Sequence, residues 1–320
     1  MKKRILVTGC SGLVGGTIRY ISQLYPQYEF YFSYHKDKDL TKENDVVEVF
    51  KDSKPRYVIH TAARVGGIGR NLNSPAQQFR DNILMNTHII HNAYKFDIEK
   101  LIVFSSMCVF PADIKIITEE NMHKGEPFWA HFSYAHSKRM VDIQIEAYKQ
   151  QYGIKNYCSV IPGNMFGEND NFDLEDGHVI PSLIHKCYLA KLNNSPFEVW
   201  GSGEATREFL YAQDVGRICL ELLSREELPH RLIVSAEKEH SIKEISEKIC
   251  NIYNFPIENI KWLLDKPSGQ SERPSDHTTF RKYFPDFEFT DIDIGLKNTI
   301  QWFKDNYPNV RGVICNREKN

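Results

Sequence analysis

"RILVTGCSGLVG", residues 4–15, joins a short apolar run to three glycines spaced GxxGxxG. A run of this length closed by glycine reads as a buried strand, and the apolar spacing from Leu13 to Leu24 reads as a helix. Glycines between a strand and a helix permit a tight turn. They also let backbone N–H groups approach a pyrophosphate at the positive end of the helix. Gly9, Ser11, Gly12, Leu13, Val14 and Gly15 are therefore candidate cofactor-binding residues. The spacing alone is weak evidence, because loops are rich in glycine; the strand-turn-helix setting gives it weight.

Outward from that turn the same rhythm repeats. Apolar runs at Phe30–Ser33, Tyr57–His60, Leu101–Phe104 and Tyr157–Ile161 alternate with helical patterns at Asn44–Phe50, Pro75–Tyr94 and Ser133–Tyr152. Such βαβ alternation implies a parallel sheet with helices on both faces. The expected fold class is α/β, a Rossmann-type doubly wound parallel sheet with a smaller, nested C-terminal substrate lobe. After about residue 165 the rhythm loosens into Gly-, Asn- and Asp-rich loops, with helices expected at Ile180–Leu192 and Ser241–Tyr253. The expected division is a dinucleotide-binding domain over 1–165, to which later segments return, and a mainly substrate-binding lobe over 166–320. The ligand belongs in the cleft between them, beyond the carboxyl ends of the strands.

Composition narrows the partners. A chain of 320 residues with 41% hydrophobic and 26% charged residues can bury a large core. A formal charge of −2 argues against a nucleic-acid binder held by phosphate contacts. The opening MKKRILVTG breaks at Thr8-Gly9, short of a signal peptide, and no later run approaches a membrane span, so no membrane partner and a cytoplasmic location are expected. Seven cysteines, at positions 10, 108, 158, 187, 219, 250 and 315, are scattered without a CxxC pair. Free thiols are expected, with neither a disulfide framework nor a metal site.

Two further stretches carry chemistry. After the second strand, Ser33-Tyr34-His35-Lys36-Asp37-Lys38 is more basic than acidic, which favours the 2′-phosphate of NADP over the free ribose hydroxyl of NAD. His35 and Lys36 are the candidates, and Asp39 suits either an adenine contact or a solvated loop. Later, Tyr134 and Lys138 form YxxxK and share one helical face. An ammonium beside a phenol favours the phenolate, so Tyr134 is expected to have a lowered pKa and to exchange protons near neutrality. Ser106, on the preceding strand end, strengthens the motif. Cys108 beside it is the puzzle, since a cysteine at such a depth is usually a small hydrophobe.

The cradle, Ser106, Tyr134 and Lys138 together resemble the extended short-chain dehydrogenase/reductase superfamily. Further blocks resemble the GDP-L-fucose synthase family over most of the chain: Ala62-Ala63-Arg64-Val65-Gly66-Gly67-Ile68, Cys108 before Val109-Phe110-Pro111, Asp170-Asn171-Phe172, Gly177-His178-Val179-Ile180-Pro181, and Val199-Trp200-Gly201-Ser202-Gly203 leading to Arg207-Glu208-Phe209-Leu210. This resemblance implies an NADPH-dependent C4 ketoreductase of a GDP-linked 4-keto-6-deoxy sugar, with epimerisation at C3 and C5 in the same pocket. It implies Ser106, Tyr134 and Lys138 as the reductive group, with Cys108 as the base and His178 as the acid of epimerisation.

A ketone at C4 acidifies the protons at C3 and C5, so one group can remove a proton from one face while another returns it on the other. A thiol of pKa about 8.5 and an imidazole of about 6.5 suit that task. Ala62 and Ala63 join the cofactor residues, and Asn164, His178, Lys186, Trp200, Arg207 and Arg273 the substrate residues. Lys186 and Arg207 are the candidates for the diphosphate; surface charges and an ordinary core indole are the alternatives for Lys186, Arg207 and Trp200. The helices Ala76–Tyr94 and Ser133–Tyr152 correspond to helices that pair across a twofold axis in related enzymes, so a homodimer is expected.

Departures from the family pattern leave the sugar open. Met107 replaces a hydroxyl, Pro162-Gly163-Asn164-Met165-Phe166-Gly167-Glu168 differs around the asparagine, Lys186 stands for an arginine and Arg273 for a lysine. The alternatives are a reductase without epimerisation or an epimerase alone, on a hexose or heptose, and more remotely a non-catalytic NADP sensor.

Overall fold

The computed structural model describes residues 2–66, 73–266 and 274–313. The chain opens with β1 (Lys3–Thr8), α1 (Leu13–Ile21), β2 (Tyr28–Ser33), α2 (Glu43–Ser53), β3 (Tyr57–His60), α3 (Pro75–Lys95), β4 (Lys100–Phe104), α4 (Phe132–Tyr152) and β5 (Tyr157–Pro162). Next come β6 (Asn164–Phe166), α5 (Val179–Asn193), β7 (Phe197–Trp200), β8 (Thr206–Tyr211), α6 (Ala212–Leu222) and β9 (Arg231–Val234). The remainder is β10 (Glu239–Ser241), α7 (Ile242–Tyr253), β11 (Ile260–Leu263), α8 (Thr278–Tyr283) and α9 (Ile292–Asn306).

Six strands form one parallel sheet in the order β2-β1-β3-β4-β5-β9. Strands β3, β4 and β5 are buried along their whole length, as their mainly apolar character requires for a sheet covered on both faces. The order in which strands are added reverses at β1, which pairs with β2 on one side and β3 on the other. A crevice therefore opens at the carboxyl ends of β1 and β3.

One apolar core lies between the sheet and α1, α6 and α8, joining Val7, Ile18, Ile102, Val160, Val215 and Phe280. The opposite face packs on α2, α3 and α4 through Val46, Ile89 and Val141. A third core, built from Phe166, Ile184, Phe197, Ile249, Leu296 and Phe303, belongs almost wholly to the later chain. It carries two small sheets, β10-β8-β6 and β11-β7. Strand β9 and helices α6 and α8 come from beyond residue 200 yet complete the first sheet and its core.

Candidate active site

The turn after β1 has the form a dinucleotide needs. Gly9 sits at φ +73°, and a side chain there would start 2.6 Å from the backbone nitrogen of Ala62, in the segment after β3. A side chain on Gly15 would start 2.4 Å from the carbonyl oxygen of Gly9, so glycine lets α1 close against the turn. Gly12, by contrast, is open: its nearest neighbours are 3.4 Å and more away. It is also the N-cap of α1 and offers no capping side chain, which leaves first-turn N–H groups aimed outward at the positive end of the helix. These features fit a pyrophosphate held by Gly9, Ser11, Gly12, Leu13, Val14 and Gly15, with Ala62 and Ala63 as the opposite wall.

At the end of β2 lies a cavity of about 620 Å³ lined by Ser11, Arg19, Tyr34, His35 and Lys36. Arg19 Nη1 donates to the Tyr34 hydroxyl at 3.1 Å, and the Lys36 ammonium stands 5.9 Å from the centre of the same ring. Two fixed cations and an imidazole around one cavity suit the 2′-phosphate of NADP. Arg19 and Tyr34 were not visible as site residues from local spacing, because Arg19 reaches the cavity from the last turn of α1. Asp39 serves its own turn: its Oδ1 accepts from the backbone N–H and the hydroxyl of Thr41, at 3.0 and 2.7 Å.

At the carboxyl end of β4 the structure gathers Ser106, Cys108, Tyr134 and Lys138. Ser106 is extended, caps a short 3₁₀ turn over Met107–Val109, and accepts from the Cys108 N–H at 3.3 Å. The same hydroxyl hydrogen-bonds with the Tyr134 phenol. Lys138, one turn along α4, donates to the carbonyl of Phe104 at 2.8 Å, with its nitrogen 6.0 Å from the centre of the Tyr134 ring. Met107, which replaces a hydroxyl of the family pattern, packs against the core of Val109, Phe110, Ile117 and Ile233.

Electrostatics here correct one expectation. Tyr134 has a raised pKa, not a lowered one: burial is the main cause, the neighbouring Cys108 adds to it, and the Ser106 hydrogen bond opposes. Lys138 is spent on a carbonyl rather than on the phenol oxygen, and burial lowers its own pKa to about 8. The phenol is therefore held in its protonated form, ready to donate. His60, at the end of β3, lies 2.7 Å from the Thr8 hydroxyl and 3.2 Å from Asn86 Oδ1. Burial and then the Lys138 charge push its pKa down to about 3, so Lys138 faces a neutral ring.

Six cysteines lie among the described residues. Cys10, Cys158, Cys187, Cys219 and Cys250 are buried; Cys108 is partly open. His178 is the N-cap of α5, with 46% of its side chain exposed, and its Nδ1 stands 3.2 Å from Asp170 Oδ1. Partial burial works against the charged ring and Arg311 adds to that, but Asp170 outweighs both and raises the imidazole pKa.

The Lys186 ammonium lies 4.5 Å from the centre of the Trp200 ring, a cation–π contact, with burial lowering its pKa and Glu198 and Glu175 opposing. Trp200 is 41% exposed, so it is not an ordinary core indole. Arg207 Nη1 donates to the Thr206 carbonyl at 2.5 Å, and Asn164 is an exposed residue of β6. Arg273, with Gly67 and Ile68 of the earlier block, lies outside the described residues. Among the described residues no cluster of three His, Cys, Asp or Glu could hold a metal ion, and no helix is long and apolar enough to cross a membrane.

Residues 5–235 match the NAD dependent epimerase/dehydratase family. The chain belongs to that family. It is 36% identical over 315 residues to a GDP-L-fucose synthase of Dictyostelium discoideum, covering 97% of this chain and 98% of that one. A probable GDP-L-fucose synthase of Drosophila melanogaster is 33% identical, with 97% and 99% covered. Among solved structures, a GDP-L-fucose synthetase of Naegleria fowleri bound to NADP superposes with a TM-score of 0.89 at 36% identity, covering 97% of this chain and 95% of that one. The glycine turn and the basic cavity described above both lie within the residues that match this family.

Proposed function

We propose that the chain is an NADPH-dependent C4 ketoreductase of a GDP-4-keto-6-deoxy sugar that also epimerises the sugar at C3 and C5. The observation that carries this reading is the convergence of Ser106, Tyr134 and Lys138 with the one partly open thiol among the described cysteines, Cys108. NADPH, when bound, supplies the reducing equivalent to C4. Tyr134 gives its phenolic proton to the C4 oxygen as negative charge develops there. The Ser106 hydroxyl orients on the same oxygen, and the Lys138 charge steadies the phenolate left behind.

Epimerisation uses the ketone before it is reduced. Cys108, as thiolate, takes the proton from C3 or C5, and the electron pair of the broken C–H bond passes into an enolate whose charge rests on the C4 oxygen. His178, charged through Asp170, returns a proton to that carbon on the other face. Lys186 and Arg207 hold the diphosphate, Trp200 and Asn164 bound the nucleotide-sugar cleft, and His35 and Lys36 with Arg19 hold the cofactor's 2′-phosphate.

The same reading takes the protein as a homodimer. Helices α3 and α4 leave Phe79, Phe132 and Met140 exposed around an apolar groove of about 460 Å³, the face a second copy would cover. Sedimentation at micromolar concentration that gave only monomer would overturn that part.

The decisive experiment incubates the protein with GDP-4-keto-6-deoxymannose in D2O. Without NADPH, deuterium should enter C3 and C5, read by NMR; with NADPH, loss of the nicotinamide absorbance should accompany formation of the epimerised sugar. Reduction with no deuterium entry would leave a reductase that does not epimerise.

A further inference from the structure

The cofactor cradle is touched by a residue from far along the chain. After α9 the backbone turns through Val310, which is buried in the third core, and returns to the loop at 170–173. The Phe172 N–H donates to the Arg311 carbonyl at 2.9 Å. Gly312, at φ +90°, lies so close that a side chain would start 2.3 Å from both Asn171 Oδ1 and the Asp173 nitrogen. These contacts fix the backbone at residue 311. Its side chain is exposed, and Nη1 lies 4.0 Å from where a side chain on Gly12 would begin. Among the described residues no carboxylate pairs with it.

Gly12 caps α1 without a side chain, so the anion drawn to these N–H groups still lacks a cation from the first half of the turn. Arg19 and Lys36 are committed to the Tyr34 cavity instead.

We propose that Arg311 is a ligand of the cofactor's pyrophosphate, reaching over Gly12 from the segment after α9. A guanidinium matches a phosphate oxygen pair with two parallel N–H donors, and such charge-assisted bonds are about twice as strong as neutral ones. Cofactor binding then joins the third core to the first sheet, because the residue that meets the phosphates is seated by Val310 and Gly312.

The test measures binding rather than turnover, so it stands whether or not the protein epimerises. Arg311→Gln and Arg311→Lys are compared with wild type for NADPH, NADH and GDP by isothermal titration, with the melting temperature of each unliganded variant as the folding check. Arg311→Gln should weaken NADPH and NADH by the same factor, about tenfold or more, and leave GDP within twofold. Arg311→Lys should fall between, keeping the charge without the fork. NADPH binding within twofold of wild type overturns the proposal. So does a loss confined to NADPH, which would move the contact to the 2′-phosphate, or a loss confined to GDP, which would move it to the substrate diphosphate. Should Arg311→Gln melt several degrees early, Arg311→Lys alone carries the same three comparisons.

Discussion

Replacing Lys138 by methionine tests whether this site holds a buried ammonium. Lys138 is 2% exposed, its ammonium's one hydrogen-bond partner among the described residues is the Phe104 carbonyl, and burial lowers its pKa from 10.5 to about 8. At about 1.4 kcal/mol per pKa unit, that gap means the charged lysine makes the fold about 3 kcal/mol less stable than an exposed one would. Below about pH 8 both folded and unfolded chains carry the proton, so the penalty is full and constant. Between about 8 and about 10.4 the folded chain has released the proton while the unfolded chain keeps it. The unfolded state then binds more protons, and stability rises with pH.

Wild type should therefore gain about 3 kcal/mol on Lys138→Met between about pH 7 and pH 10.5. Spread over 320 residues, unfolding entropy is about 0.7 kcal/mol/K, so the relative gain in melting temperature is about 4–5 °C. Urea unfolding of both proteins across that range, followed by fluorescence of the four tryptophans, gives the difference, in which the other alkaline titrations cancel. A difference that stays flat with pH would refute a buried, charged Lys138. The same variant should bind NADPH and turn over poorly, since nothing then steadies the Tyr134 phenolate.

Tyr134→Phe should lower the rate of reduction by about 10²–10⁴-fold, read by stopped-flow absorbance, while NADPH binding stays within a few-fold, because the phenol lies away from the glycine turn. Asp170→Asn removes the charge that raises the His178 pKa, so the pH above which deuterium exchange declines should move lower while the pH profile of reduction does not; equal shifts in both would place Asp170 outside this role. Asp142 is fully buried and accepts from His123, His230 and Arg231, which hold its carboxyl far below the usual range against the cost of burial. Asp142→Ala should cost about 3–5 kcal/mol, or about 4–7 °C by calorimetry, and the deficit should shrink as pH falls below about 4, where the unfolded carboxyl takes up its proton first and wild type loses the same contribution.

The parts of the fold that local pattern reveals are those whose cause is local. The glycine turn is legible because its spacing follows from the closeness of Gly15 to the Gly9 backbone six residues before it, although the wall against Gly9 comes from Ala62. Strand β3 stands at Tyr57–His60 as expected, and the other early elements differ by a few residues at their ends. The later small strands look like loops in the sequence for a physical reason. Strand β7 is four residues long and alternates buried with exposed, and it becomes a strand by pairing with β11 some sixty residues on. Strand β6 is three residues long and exists through β8.

At the site, the YxxxK spacing places Tyr134 and Lys138 on one face. It carries no information about burial, which is what decides the Tyr134 pKa. Arg19, Asp142 and Arg311 escaped notice because each acts on residues that the chain brings near from elsewhere.

Helix α4 explains why the active site keeps its geometry around a charge that weakens the fold. Tyr134, Lys138 and Asp142 are spaced four residues apart and share a face, so the helix carries donor, cation and anchor in one row. The anchor is fixed from outside the helix: Arg231 at the start of β9, His230 before it, and His123 in the segment preceding α4 all close on one carboxylate. Because β9 also borders β5 in the main sheet, the rotation of α4 is referred to the same strands that present Ser106 and Cys108. An error in that rotation would move the Tyr134 oxygen and the Lys138 nitrogen together relative to Ser106. The return of a late strand to the first sheet is therefore a condition on the chemistry as well as on the fold.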